Sequence, residues 1–110
     1  MKRDLLPLEK QLAKFFGEPY DTDEYYFHSV FKRSHKNNFC ITLFFDTELN
    51  PSASLYLAQE DKTLFDIDYR EFISIESSTD KLILDLEDKR QIVLCEEDWG
   101  FSVKINPIVK

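Results

Sequence analysis

The chain has 110 residues, 43% of them apolar and 15% aromatic, so one domain over residues 1–110 can bury about two thirds of its unfolded surface and disorder is excluded despite 32% charged residues. The only glycines are Gly17 and Gly100, which excludes a glycine-rich phosphate-cradling loop and the nucleotide enzymes built on one. The formal net charge of −7 is uneven: residues 1–40 carry seven basic and six acidic side chains, residues 41–110 seven basic and fifteen acidic, and a field of that sign repels nucleic acid and anionic membrane while drawing basic proteins.

Leu5, Leu8, Leu12, Phe15 and Phe16 recur at the spacing of one helical face. Asp4 can cap the start, Pro7 fits the first turn, and Gly17 followed by Pro19 ends the helix. The charged residues among these positions interrupt any apolar run long enough for a secretory signal or a membrane span, so a cytoplasmic protein is expected. Cys40 and Cys95 are then expected as small buried hydrophobes rather than a disulfide.

After the joint at Pro19 to Glu24 the apolar period changes to two. "YYFHSVFKR" from Tyr25 and "FCITLFF" from Phe39 predict strands, the second buried on both faces. "ASLYLAQ" from Ala53, "EFISIES" from Glu71, "KLILDLE" from Lys81, "QIVLCE" from Gln91 and "GFSVKI" from Gly100 continue the pattern, while "TLFDIDYR" from Thr63 fits either a strand or a helical turn. The gaps between them carry turn chemistry and are too short for crossover helices, so pairing is antiparallel. The expected fold is α+β, with a short N-terminal helix packed on a curved antiparallel meander of about six or seven strands.

Chemistry-bearing residues are few. His28 and His35, with Lys32, Arg33 and Lys36 to neutralise a phosphate, could make an acid/base pair for a small histidine-dependent enzyme, but the acidic composition opposes a polyanionic substrate. Asp66 and Asp68 resemble the start of a calcium loop, yet the glycine and the closing glutamate are missing, since Ser77 stands in twelfth place. Cysteine and histidine are too dispersed for a zinc site, and neither a metal nor another cofactor is expected.

The most informative stretch is "CEEDWGF", from Cys95. Residues 96–100 have the length and the final glycine of a hairpin connection. A turn alone does not account for three carboxylates before the only tryptophan, because like charges repel and an exposed indole leaves a large apolar surface in water. Trp99 is therefore expected either to fold onto the core or to anchor a contact, with Glu96, Glu97 and Asp98 steering a basic partner. Asp85, Glu87, Asp88, Asp66, Asp68 and Glu71 add negative charge and would complete one acidic face if the fold gathers them at one edge of the sheet.

With its N-terminal helix "LLPLEKQLAKFFG", its antiparallel strands and the acid-rich "FDIDYRE", "LDLEDKR" and "CEEDWGF", the chain resembles the small acidic immunity proteins with which bacteria neutralise contact-dependent and related polymorphic toxins. The resemblance covers the whole chain as a profile and has no diagnostic motif. It implies a non-enzymatic, one-to-one inhibitor of a basic toxin domain, frequently a nuclease, acting as a monomer or weak homodimer without binding nucleic acid or membrane. The competing readings are an acidic adaptor or nucleic-acid mimic that blocks a DNA-binding protein, the histidine-dependent enzyme, and a subunit that pairs through an exposed edge strand.

Overall fold

The computed structural model describes residues 5–22, 28–47 and 50–107. Helix α1 spans Pro7–Phe16. Pro7 occupies the first turn, where its missing N–H has no helical partner to lose, and the Glu9 carboxylate accepts the Leu6 N–H at 2.9 Å. Gly17, at φ +84, closes the helix with its N–H donating to the Ala13 carbonyl at 2.8 Å. Asp4, the expected cap, lies outside the described residues.

Eight strands follow: β1 (Asp21–Thr22), β2 (His28–His35), β3 (Phe39–Asp46), β4 (Ser52–Gln59), β5 (Lys62–Ser77), β6 (Lys81–Leu86), β7 (Arg90–Glu97) and β8 (Gly100–Pro107). They form one antiparallel sheet in chain order, a meander as expected but of eight strands rather than six or seven. One unforeseen strand is the short β1 in the joint after the helix, which pairs Asp21 with Val30 and Thr22 with Ser29. The undecided "TLFDIDYR" is a strand, continuous with "EFISIES" in β5.

β5 is the strand on which the sheet turns. Its first part pairs with β4 and its second with β6, and the register shifts between Leu57 and Ala58, between Ala53 and Leu55, and between Phe72 and Ser74. Each shift inserts an unpaired residue, which bends the strand and increases its twist. The inserted positions include Leu64 and Ile73, and that explains why these apolar side chains are exposed, Ile73 to 70%.

The curved sheet encloses α1 on its concave side. Alternation supplies that face: Phe31, Leu43 and Leu55 stand in one row across β2, β3 and β4, and Leu82 and Leu94 in another across β6 and β7. Leu12, Phe15 and Phe16 of the helix fill the trough, with Phe15 edge-on to Phe16 and Phe16 tilted on Phe31. β3 is fully buried on this face only. Its other face is half-buried, with Phe44 edge-on to Tyr56 of β4 at 5.8 Å, so the expectation of burial on both faces is corrected. Cys40 and Cys95 are likewise half-buried free thiols on the convex side, not core residues.

The two arms of the sheet meet where the β2–β3 and β7–β8 tips touch. A single 3-10 turn, Lys36–Asn38, joins β2 to β3, and its left-handed Asn37 and Asn38 are of a residue type that adopts this conformation more readily than most. Asn37 Nδ2 donates to the Trp99 carbonyl at 3.2 Å, and the Phe39 ring lies over Gly100. Arg33 locks this end from within: Nη1 donates to the carbonyls of Phe15 (2.9 Å) and Thr79 (2.5 Å), and Nη2 to Glu96 Oε2 (2.7 Å). Its guanidinium also stacks on the Phe15 ring at 4.5 Å.

Candidate functional site

The β7–β8 connection is shorter than expected. Glu97 pairs with Gly100, leaving Asp98 and Trp99 as a two-residue turn in place of the five-residue connection at 96–100. The alternation through β7 sends Glu96 to the concave side, where Arg33 holds it, and Glu97 to the convex side, where it accepts the Ser102 hydroxyl at 3.3 Å. Glu96 is therefore a structural ion-pair partner first and a weak candidate for steering a second molecule. Trp99 divides its surface: its ring meets Phe39 edge-on at 5.8 Å and is 53% exposed. It is neither a core residue nor a free indole.

Glu71, Glu87 and Asp88 gather at the opposite end of β7. Residues 87–89 form the β6–β7 turn, and the Glu87 N–H donates to the Glu71 carbonyl at 3.0 Å, which fixes the turn against the bend of β5. Asp66 and Asp68 are exposed in the part of β5 that runs along β4, and Glu71 is exposed at the bend with Glu87 and Asp88 beside it. Asp85 joins this end of the sheet but is half-buried, accepting from the Ser74 hydroxyl at 2.8 Å and Gln91 Nε2 at 2.9 Å in a row across β5, β6 and β7. Asp85 thus ties strands together and offers little free charge. The expected single acidic face is in fact two clusters, separated by the length of β7, about 23 Å at 3.3 Å per residue.

Within the bend cluster the carboxylates are held against one another. The side chains of Glu71 and Glu87 share a hydrogen bond, and this bond pushes the Glu87 carboxyl above its ordinary range, with the Glu71 charge adding to the effect. The same bond, with the Asn50 amide donating to Glu71 Oε1 at 3.1 Å, holds Glu71 below it. Asp88 is lowered by its paired bonds from Arg90, whose Nη2 and Nε lie 2.6 and 2.9 Å from Oδ2. A shallow, open depression lined by Arg70, Glu71, Glu87 and Asp88 lies here. It is suited to a protein surface and too open to sequester a small molecule.

The histidines do not form a pair. His28 and His35 stand at the two ends of β2, His28 on the convex side with Nδ1 3.1 Å from Asp46 Oδ2, and His35 on the concave side against the Phe101 ring at 5.4 Å. An acid/base step using both is not assembled. Asp66 and Asp68 lie on a strand and not in a calcium-type loop, and no metal-binding group of three is present among the described residues. No helix among the described residues is long and apolar enough to cross a membrane.

Sequence reasoning missed Arg33 as the clasp of the sheet and Arg90 and Asn50 as the partners that order the bend cluster. Arg33 carried one signal, a charge at a concave-side position of an alternating strand. Asn50 carried none, because its partner Glu71 is brought near by the β4–β5 pairing. No protein-family model, curated protein or solved structure matches the chain.

Proposed function

We propose that this protein is a non-enzymatic inhibitor of a basic protein, of the immunity type, which docks a cognate cationic toxin domain on the acidic bend of β5 and the β6–β7 turn. One observation supports the reading above the others: two exposed glutamates, Glu71 and Glu87, stand side by side, close enough that Glu87 is held above its ordinary range by Glu71. Asp88 stands beside them, Asp66 and Asp68 lie further back along β5, and Arg70, Lys89 and Arg90 are the nearby charges of opposite sign. A cationic groove is drawn to these carboxylates, and the attraction speeds encounter. A standard interface covers roughly 800 Å² per partner, enough for this patch and its flanks, and the carboxylates would stand where a nuclease holds phosphate groups.

The test is capture on the immobilised chain from lysate of its source organism, followed by an activity assay of what is retained. The expected result is one basic protein in stoichiometric amount, bound more slowly as salt rises and inhibited on binding. Replacing Glu71, Glu87 and Asp88 by their amides in one variant should slow association at least about tenfold. Retention of many basic proteins, all released by modest salt, or a single partner indifferent to the triple variant, overturns the reading. Trp99→Ala locates the far limit of the interface: unchanged affinity confines the partner to the bend, and a loss of about 2 kcal/mol or more extends it along β7 to the tip.

A further inference from the structure

β5 is paired along each of its edges for only part of its 16 residues. β4 runs beside residues 62–71 on one edge, and β6 beside residues 72–77 on the other. Among the described residues no strand runs along the second edge before the bend, where the Glu87 N–H closes it at the Glu71 carbonyl. Thr63, Leu64, Asp66 and Asp68 are all exposed there, so this edge stands open to solvent. The register fixes which backbone groups it presents. Glu60 donates its N–H to the Asn38 carbonyl at 3.0 Å, so the even-numbered residues of β4 bond to β3 and the odd-numbered ones to β5. Gln59 and Lys62, which flank a two-residue turn, begin the same alternation. Phe65 and Ile67 therefore spend their N–H and C=O groups on Leu57 and Leu55, while Asp66 and Asp68 turn theirs outward.

The side chains say which strand this edge accepts. Asp66 and Asp68 stand on the convex face, and neither carboxylate has a hydrogen bond or ion pair among the described residues. A second copy of the edge is a poor occupant, because the antiparallel register that uses both outward residues of each copy sets Asp66 against Asp68. An incoming antiparallel strand of other sequence places one residue opposite Asp66, the next opposite Ile67 and the third opposite Asp68. The outer two direct their backbone groups to the edge and their side chains to the convex face, where a lysine or arginine meets each carboxylate. The middle one turns its side chain to the concave face and extends the row of Phe31, Leu43, Leu55 and Ile67. Ile67 ends that row half-buried against the core, so an apolar neighbour gains contact there.

We infer that the first part of β5 is a strand-docking edge for a basic segment of another protein, taken up in extended form with cationic and apolar residues in alternation. Main-chain bonds to Asp66 and Asp68 hold the segment, and their carboxylates select its sequence. The same charges turn away neutral and acidic strands, which protects an open edge from indiscriminate pairing. The bulges on either side, at Leu64 and after Ile67, confine regular pairing to the short stretch between them. This edge lies before the bend, and the inference does not depend on the bend as a docking surface.

The probe is a short acetylated, amidated peptide of alternating lysine and valine, titrated into the full chain by fluorescence anisotropy. The expected result is saturable one-to-one binding that slows hydrogen exchange of the Asp66 and Asp68 amides. N-methylation of every lysine, which keeps the charge and removes the donors aimed at the edge, should weaken binding at least about tenfold, whereas N-methylation of every valine should leave it within about threefold. Asp66→Asn with Asp68→Asn should also cost at least about tenfold, and the triple amide variant of Glu71, Glu87 and Asp88 should stay within about threefold of the parent. Both aspartates are exposed, and circular dichroism checks that their variant remains folded. Absence of saturable binding overturns the inference. So does equal binding of the N-methyl-lysine peptide, or a loss in the bend variant as large as in the edge variant, since either would mean that the peptide reads only the acidic field.

Discussion

Gly100 is the position at which one atom decides the meeting of two hairpins. A Cβ there would lie 2.6 Å from Phe39 Cδ2 and 2.7 Å from Cε2, inside contact distance of a ring that is itself buried, and the backbone stands at φ +155. Gly100→Ala is expected to destabilise the fold by about 1–3 kcal/mol, the usual cost of overpacking a core site, measured as a lower urea midpoint with an unchanged slope. Combining it with Phe39→Leu should cost less than the sum of the two single changes, because the smaller side chain vacates the space the methyl needs. Additive losses would show that φ, and not the ring, makes the glycine necessary. The sequence placed a glycine at the end of a turn, but the ring that requires it comes from β3, far away in the chain.

At the scale of elements, the β6–β7 turn combines two local conflicts. Lys89 adopts φ +66, with its N–H donating to the Leu86 carbonyl at 3.2 Å, in the place where a three-residue hairpin loop favours glycine. Lys89→Gly is expected to stabilise by about 0.5–1 kcal/mol, the relief of left-handed strain less the added freedom of the unfolded chain, read from the thermal or urea midpoint. Glu87 carries the second conflict. Its folded pKa is raised above the ordinary 4.5 through its bond with Glu71 and the Glu71 charge, so the folded state binds the extra proton and stability from this group falls as pH rises through that window. Glu71 and Asp88 are lowered and act in the opposite sense, their contribution present at neutral pH and lost in acid. Glu87→Gln is therefore expected to raise the urea midpoint at neutral pH, with the gain disappearing as the pH drops below 4.5 and the parent glutamate becomes protonated. A gain that is the same at both pH values would mean that the Glu71 contact is not electrostatic.

For the whole molecule, Arg33 is the residue that makes one body of a helix and two arms of sheet. It joins the last turn of α1 through Phe15, the β5–β6 turn through Thr79, and β7 through Glu96, with its side chain only 18% exposed. Arg33→Ala is expected to cost about 2–3 kcal/mol, because charged hydrogen bonds are lost and the freed Phe15 carbonyl remains partly buried. Arg33→Lys should recover little of this, since a single ammonium cannot span a fork of three acceptors on separate elements. Urea unfolding of the two variants makes the comparison, and a lysine as good as arginine would reduce the clasp to a point charge.

Period-two alternation, turn residues and the single amphipathic helix determined the α+β class, the antiparallel meander and the helix ending at Gly17, because each depends on neighbours in the chain. The continuity of β5 was not determined, since "TLFDIDYR" becomes a strand by pairing with β4, and bulges insert residues that break the alternation. The acidic residues were legible as types and not as a surface. Tertiary structure alone sent Glu96 inward to Arg33, spent Asp85 on a hydrogen-bonded row, and set "CEEDWGF" and the Glu71–Glu87 pair at opposite ends of β7. The physical reason is that a strand carries two faces and two ends, and which of these a carboxylate occupies depends on register and curvature set by partners distant in sequence.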